Sequence, residues 1–340
     1  MINKNKSCAI IGLGRMGERY ILVAKKLNLK IIGTYDKNIK KNIEVTLKNK
    51  LNRRICFSNI DKILNQKPDI IIIASTADTH LEIVEKCAKY GIKKIVVEKP
   101  LTNSLENCRK IKKLTQDKKI KICINHANKF SNQYIYLKNT LNLKKFGKII
   151  SINYLCGNLG AAMNGTHFFD VFRFITGSEI YKVESNIKID KNLNPRGSKF
   201  KDYEGQISMF NKNGTRGYMD ISSQSHHGET LTCICKYGIL FMDLLSGNIC
   251  SNYRKISSRK HASYRYASPY IIERKKIKID NILTTTKINL QKFLNDKNYI
   301  TLNNGIYPIK ILIAAITSSK RKSGKITIKN LKNKDSFSWA

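Results

Sequence analysis

The chain has 340 residues, 41% of them hydrophobic and 26% charged, with 63 Lys and Arg against 24 Asp and Glu for a formal net charge of +39. That length allows a large buried core, with two domains as the default expectation. No apolar run approaches the roughly 20 residues of a membrane span, and the first apolar stretch is too short and too broken by glycine for a signal peptide.

The first apolar run, Cys8-Ala9-Ile10-Ile11, ends on Gly12-Leu13-Gly14-Arg15-Met16-Gly17. A strand, a glycine turn and the start of a helix in this order bind a dinucleotide pyrophosphate. Gly12 permits the tight turn, Gly14 lets phosphate reach the backbone, and Gly17 lets helix and strand pack closely. The helix N-terminus adds free N–H groups and partial positive charge. A helical stretch from Glu18 to Leu27 and a second run, Lys30–Tyr35, then lead to Asp36. An acidic residue about 20 positions beyond the glycines binds the adenosine ribose hydroxyls. Asp36 favours NAD over NADP because its carboxylate repels a 2′-phosphate, although Lys37 beside it works the other way.

Further short apolar runs follow at Ile55–Phe57, Ile70–Ala74, Ile95–Val97 and Ile120–Ile124, separated by amphipathic stretches such as Asp78–Tyr90 and Ser104–Gln116. Apolar runs alternating with helices predict parallel strands covered on both faces, a doubly wound domain over residues 1–126. Residues 127–340 change character. Helices are expected over Asn132–Leu141 and Thr166–Phe174, the latter ended by Gly177, and a strand over Lys148–Leu155. From Ile180 the chain reads as successive strands: Tyr181–Ile189, Gln206–Phe210, Thr215–Ser222, Leu231–Lys236 and Ile239–Leu244. Strands without intervening helices predict an antiparallel sheet. Pattern is weak over 245–300; a last helix is expected over Tyr307–Ser319, and a short strand at Ile326–Ile328.

Lysine is spread along the whole chain with Asn and Ile, all encoded by A/T-rich codons. This favours compositional drift over a nucleic-acid-binding patch. The densest basic cluster, Arg254 to Lys278, is interleaved with Tyr264, Tyr266 and Tyr270 and reads either as a site for an anionic partner or as a solvated loop and strand. The nine cysteines show no CxxC pairing or zinc spacing, and several lie inside apolar runs. They are expected to be buried free thiols in a reducing cytoplasm, and no metal site is expected.

Five landmarks in order carry a family resemblance: Gly12–Gly17; Ile71–His80; Glu98-Lys99-Pro100 after the Ile95–Val97 run; Asn125–Phe130; and Asn164–Asp170. Together they resemble the Gfo/Idh/MocA family of NAD(P)-dependent oxidoreductases over nearly the whole chain. The resemblance implies a Rossmann domain followed by an α/β domain built on a large, open, mainly antiparallel sheet. That sheet's exposed face would form a homo-oligomer, dimer or tetramer. It implies hydride transfer between NAD, less readily NADP, and a ring hydroxyl or ketone of a sugar, cyclitol or nucleotide sugar. Lys99 would polarise the substrate oxygen and His167 would act as acid/base, a task suited to imidazole near neutral pH.

Cofactor contacts are expected from Gly12, Gly14, Arg15, Met16, Gly17, Asp36, Ser75, Thr76, His80, Glu98, Lys99 and Asn125, and substrate contacts from Lys99, Lys129, Asn164 and His167. Ser75, Thr76 and His80 are equally explained by the capping of a helix through Thr76 or Asp78. Lys129 stands where relatives often have arginine, and His226 and His227 read equally as substrate contacts or loop residues. One position departs from the pattern. Many relatives carry Asp four residues before the histidine, where this chain has Met163. Asn164 or Asp170 are candidates to compensate. The departure keeps open a dinucleotide-sensing or partner-binding protein without turnover.

Overall fold

The computed structural model describes residues 6–192, 194, 197, 200–260, 270–332 and 335–337. The first half alternates as expected: β1 (Ser7–Ile11), α1 (Arg15–Lys26), β2 (Lys30–Tyr35), α2 (Ile39–Lys48), α3 (Ile60–Asn65), β3 (Ile70–Ile73), α4 (His80–Lys89), β4 (Lys94–Val97), α5 (Leu105–Asp117) and β5 (Lys121–Ile124). The five strands form a parallel sheet in the order β2-β1-β3-β4-β5. The order reverses between β1 and β3, the switch point beyond whose carboxyl ends open α/β sheets bind ligands. The run Ile55–Phe57 does not become a sixth strand. It starts within a short 3-10 turn, Arg53–Ile55, and pairs with the sheet through one parallel bridge, Thr34 to Cys56.

The second half comprises α6 (Asn132–Leu141), β6 (Ile149–Cys156), α7 (Thr166–Thr176), β7 (Ile180–Ile189), β8 (Tyr203–Asn211), β9 (Arg216–Ile221), β10 (Thr230–Cys235), β11 (Gly238–Asp243), β12 (Asn248–Arg254), β13 (Tyr270–Lys276), α8 (Ile282–Leu294), α9 (Leu302–Lys320) and β14 (Ile326–Thr327). Nine strands form one sheet, β13-β12-β11-β10-β6-β9-β8-β7-β14, antiparallel except for the β6–β9 pair. Its inner face, including Ile152, Met219, Cys233 and Met242, is buried in a core shared with α7 and α9. Its outer face is open and partly apolar: Leu155, Tyr218, Ile234, Ile239, Phe241 and Ile272 are exposed.

Two elements depart from the sequence pattern. The last helix begins at Leu302, five residues before the expected start. Pro308 lies inside it, and Thr301 with Asn304 forms a capping box at its start. Gly305 is required within this early turn, because a Cβ there would lie 2.5 Å from Ile124 Cγ1. Helix α8, in the stretch of weak pattern, is rich in β-branched threonine and isoleucine; Asn281 caps it by accepting a hydrogen bond from the Thr284 N–H. Its Leu290, Phe293 and Leu294 pack with Ile10, Tyr20, Val96 and Cys123, covering one face of the first sheet from the far end of the chain. All nine cysteines are free, seven of them buried. Among the described residues no helix is long and apolar enough to cross a membrane. Tyr264 and Tyr266 of the basic cluster lie outside the described residues.

Candidate active site

The glycine turn has the steric logic expected of it. Gly12 sits at φ +91, and a Cβ there would meet the backbone of Ala74 and Ser75 at 2.6–2.8 Å. The turn after β1 is thereby pressed against the loop after β3. A Cβ at Gly17 would lie 1.9 Å from the Gly12 carbonyl oxygen, so only glycine lets α1 start this close to the strand. Gly14 is different: nothing lies within 4 Å of a Cβ built there. It stands at the start of α1 with no side-chain cap, so the helix presents unpaired N–H groups beside an open space. A dinucleotide phosphate would be held by these N–H groups. At the end of β2, Asp36 accepts hydrogen bonds from the Leu13 N–H (2.8 Å) and the Asn38 N–H (3.0 Å). Each oxygen keeps acceptor capacity for a ribose hydroxyl. Lys37 is exposed beside it.

Ser75 and Thr76 lie half-buried on the loop facing Gly12, where the Ser75 hydroxyl bonds Thr79 Oγ1 at 2.7 Å. The N-cap position of α4 is Thr79, whose side chain makes no capping hydrogen bond. His80 has no exposed surface. Its Nδ1 lies 2.9 Å from the Leu101 carbonyl and its Nε2 3.1 Å from the Ser75 carbonyl. It joins two loops beneath the site instead of presenting a ring to a ligand.

Beyond β4 and β5 the expected chemical groups converge. Glu98 is buried, and burial raises its carboxyl pKa against the pull of Asn125 and Lys99. Glu98 Oε1 accepts from Asn125 Nδ2 at 2.7 Å, and the same amide donates to Thr286 Oγ1 of α8 at 3.1 Å. The Tyr20 hydroxyl of α1 is buried next to this carboxylate. Glu98 is thus a brace for Asn125, whose buried Oδ1 finds no partner among the described residues. That oxygen is suited to an N–H donor such as a carboxamide. Lys99, half-buried and followed by a cis peptide bond to Pro100, donates from Nζ to the Met163 carbonyl.

His167 opens α7, one turn past Met163, and packs on His126 with ring centroids 4.7 Å apart. The Nδ1 atoms of both rings are buried without a partner among the described residues. Burial, then the Lys99 charge, pushes the His126 imidazole down to about 3, and the same two causes in the same order, followed by His126, hold His167 well below its ordinary value. Both rings are therefore neutral at pH 7. Lys129 lies partly buried near Asp170 and Arg173, and burial lowers its pKa. Asp170 bonds Arg173 on its own helix through Oδ1, while its buried Oδ2 finds no partner among the described residues. Asn164 donates to the Leu159 carbonyl at 2.7 Å, bracing the turn before α7. His226 and His227 are exposed on the loop before β10.

Three residues were not singled out from sequence. His126 adjoins Asn125 in a motif already noted, so its neighbour was the available signal. Asp202 and Glu229 come from the second sheet and carried none. Asp202 is buried and influenced by Lys99, with burial lifting its carboxyl to about 6. Burial also raises Glu229, which accepts from the Tyr154 hydroxyl at 2.8 Å and is influenced by Lys99 as well.

Residues 6–126, which carry the glycine turn, Asp36, Lys99 and Asn125, match the Gfo/Idh/MocA oxidoreductase family with its NAD-binding Rossmann fold. This match assigns residues 6–126 to the NAD-binding Rossmann fold of that family. The scyllo-inositol 2-dehydrogenase (NAD(+)) of Bacillus subtilis is 23% identical over 240 residues, covering 66% of this chain and 69% of that enzyme. Across the curated relatives it matches, the alignments span from 26% to 69% of the relative's length. An Agrobacterium radiobacter oxidoreductase, solved with NAD+, L-tartaric acid and magnesium, shares the fold at a TM-score of 0.78 and 14% identity, over 95% of this chain and 98% of that one. The transcriptional regulator Gal80p of Kluyveromyces lactis shares it at 0.75 and 14%, over 97% and 96%. The fold is thus one that both an oxidoreductase and a transcriptional regulator employ.

Proposed function

We propose that this Gfo/Idh/MocA chain is an NAD-dependent dehydrogenase that oxidises or reduces a CH–OH carbon of a sugar, cyclitol or nucleotide sugar. Residues 1–126 hold the dinucleotide and residues 127–340 supply most of the substrate site. The observation that carries the reading is one cluster beyond the ends of β4 and β5. There a lysine ammonium adjoins a neutral, partly exposed histidine, beyond strands of the same sheet whose β1 leads into a glycine turn with open space at Gly14.

The bound dinucleotide supplies the hydride acceptor or donor. Gly14 and the first N–H groups of α1 hold its pyrophosphate, with Arg15 and Met16 flanking. Asp36 holds the ribose and disfavours a 2′-phosphate. Ser75 and Thr76 line the same crevice, and Asn125 Oδ1 accepts from the carboxamide. The Lys99 ammonium donates to the substrate oxygen and stabilises the negative charge that grows there as the hydroxyl proton leaves. Neutral His167 has a lone pair for that proton and returns it in reduction. Lys129 and Asn164 stand on the substrate side. His80 and Glu98 support these groups from behind. Support comes also from the inositol dehydrogenases among the relatives.

The open face of the nine-stranded sheet, with its exposed Ile234, Ile239 and Phe241, is the surface for a homo-oligomer. The deciding experiment for the function is NADH production from NAD with a panel of sugars, cyclitols and nucleotide sugars, run beside Lys99→Met. Loss of an oxyanion donor of this kind lowers kcat by about a hundredfold or more, with NADH binding retained. Turnover unaffected in the variant would refute the assignment of Lys99.

A second reading is favoured by Met163, which places a thioether where relatives often have a carboxylate. It makes the chain a dinucleotide-responsive binding protein; Gal80p, a transcriptional regulator, shares the fold. Tight NADH binding with no turnover across the panel in either direction would select it.

A further inference from the structure

We propose that Asp202 is the positioning residue of this site: it holds the turn before α7 so that the Met163 carbonyl receives the Lys99 ammonium. The inference rests on the reading of Lys99 given above, and deepens it.

The turn over 161–165 begins after Gly160, at φ +71, and runs directly into α7, which bears His167. Its first N–H groups have no carbonyl behind them within the turn, as at any helix start. Asp202, from just before β8, caps them. Its Oδ1 accepts from the Ala162 N–H (2.7 Å) and the Tyr203 N–H (2.7 Å), and its Oδ2 from the Met163 N–H (3.0 Å). Residue 163 is therefore held at both ends of one backbone unit, its N–H by the Asp202 carboxylate and its carbonyl by Lys99.

The carboxylate occupies the space beside Gly160, where a Cβ would lie 2.0 Å from Oδ2. Negative charge at a helix start is favourable in itself. It also faces the positive charge of Lys99, which it influences across the turn. The Met163 side chain has no role in this arrangement; its backbone does. The carboxylate is supplied from just before β8 and reaches the lysine through the backbone of residue 163, without touching the substrate.

Asparagine at 202 would turn an NH2 group toward one of the three N–H donors and release it. The test is amine labelling of purified Asp202→Asn protein, with Lys99 modification quantified by peptide mass spectrometry against Lys129 as internal reference. Loss of a buried acceptor predicts Lys99 labelling raised about tenfold, and kcat lowered by a similar factor with NADH affinity unchanged. A merely structural role would move stability without selecting Lys99 over Lys129. Gly160→Ala, which displaces the same carboxylate, is the second variant and is expected to raise Lys99 labelling too. A variant that still binds NADH and shows wild-type Lys99 labelling overturns the inference. If Lys99→Met abolishes turnover while Asp202→Asn changes neither labelling nor kcat, the inference alone fails. If Lys99→Met leaves turnover intact, the proposed function fails, and the labelling result still decides whether Asp202 positions the lysine.

Discussion

Replacing His126 by phenylalanine isolates the cost of keeping an imidazole neutral in this core. The ring is 2% exposed, packs tilted against His167 and has an Nδ1 without a partner among the described residues, so an aromatic hydrocarbon loses no hydrogen bond at that nitrogen. Burial, followed by Lys99, Arg173 and Lys129, holds its pKa at about 3 against an ordinary 6.5. Below pH 6.5 the unfolded chain takes up a proton that the folded chain refuses, so stability present above that pH is lost as pH falls toward 3. Between pH 7 and 4.5 this single residue removes about 2 to 3 kcal/mol. Glu98, Asp202 and Glu229, all raised by burial, act in the opposite sense in wild type and variant alike, and cancel in the difference. Urea unfolding of both proteins at the two pH values measures it. The stability of His126→Phe relative to wild type should rise by about 2 to 3 kcal/mol on acidification, whatever its offset at pH 7. An offset independent of pH would refute the neutral, buried imidazole.

The glycine turn separates into two roles by substitution. Gly14→Ala should leave the thermal midpoint unchanged, since its Cβ meets nothing within 4 Å, yet weaken NADH binding about tenfold in a fluorescence titration. Gly17→Ala, at 1.9 Å from a carbonyl oxygen, should cost about 1–3 kcal/mol of stability as well as binding; wild-type stability in that variant would contradict the packing of α1. Asp36→Ser with Lys37→Arg should move the ratio of NAD to NADP affinity about tenfold toward NADP, and an unchanged ratio would count against the ribose site. Phe241→Lys on the open sheet face should lower the molar mass found by sedimentation; a monomeric wild type would remove the surface from consideration.

Local chemistry made the first domain legible. The glycine turn, Asp36 and the strand-ending Glu98-Lys99-Pro100 each declare themselves within a few residues, because a phosphate turn and a parallel strand impose spacing on consecutive positions. The same locality made the antiparallel run from Ile180 readable, as period-two burial is a property of one strand at a time. It misjudged the start of the last helix, where Gly305 and Pro308 resemble a boundary. There a capping box and the close approach to Ile124 outweigh helix propensity. It gave no sign that α8, far along the chain, would cover the first sheet.

The sequence by itself therefore determined the dinucleotide turn and the two sheet types, and it named Lys99 and His167 as candidates, all from contiguous residues. Only the tertiary structure decided which groups surround them. It turned His80 into a buried brace, joined one oxygen of Asp170 to Arg173, packed His126 against His167 and brought Asp202 to the backbone of Met163. Those outcomes depend on burial and on contacts between distant segments. Burial sets the charge state of an imidazole or carboxylate, and neither burial nor distance is encoded in the spacing of residues along the chain.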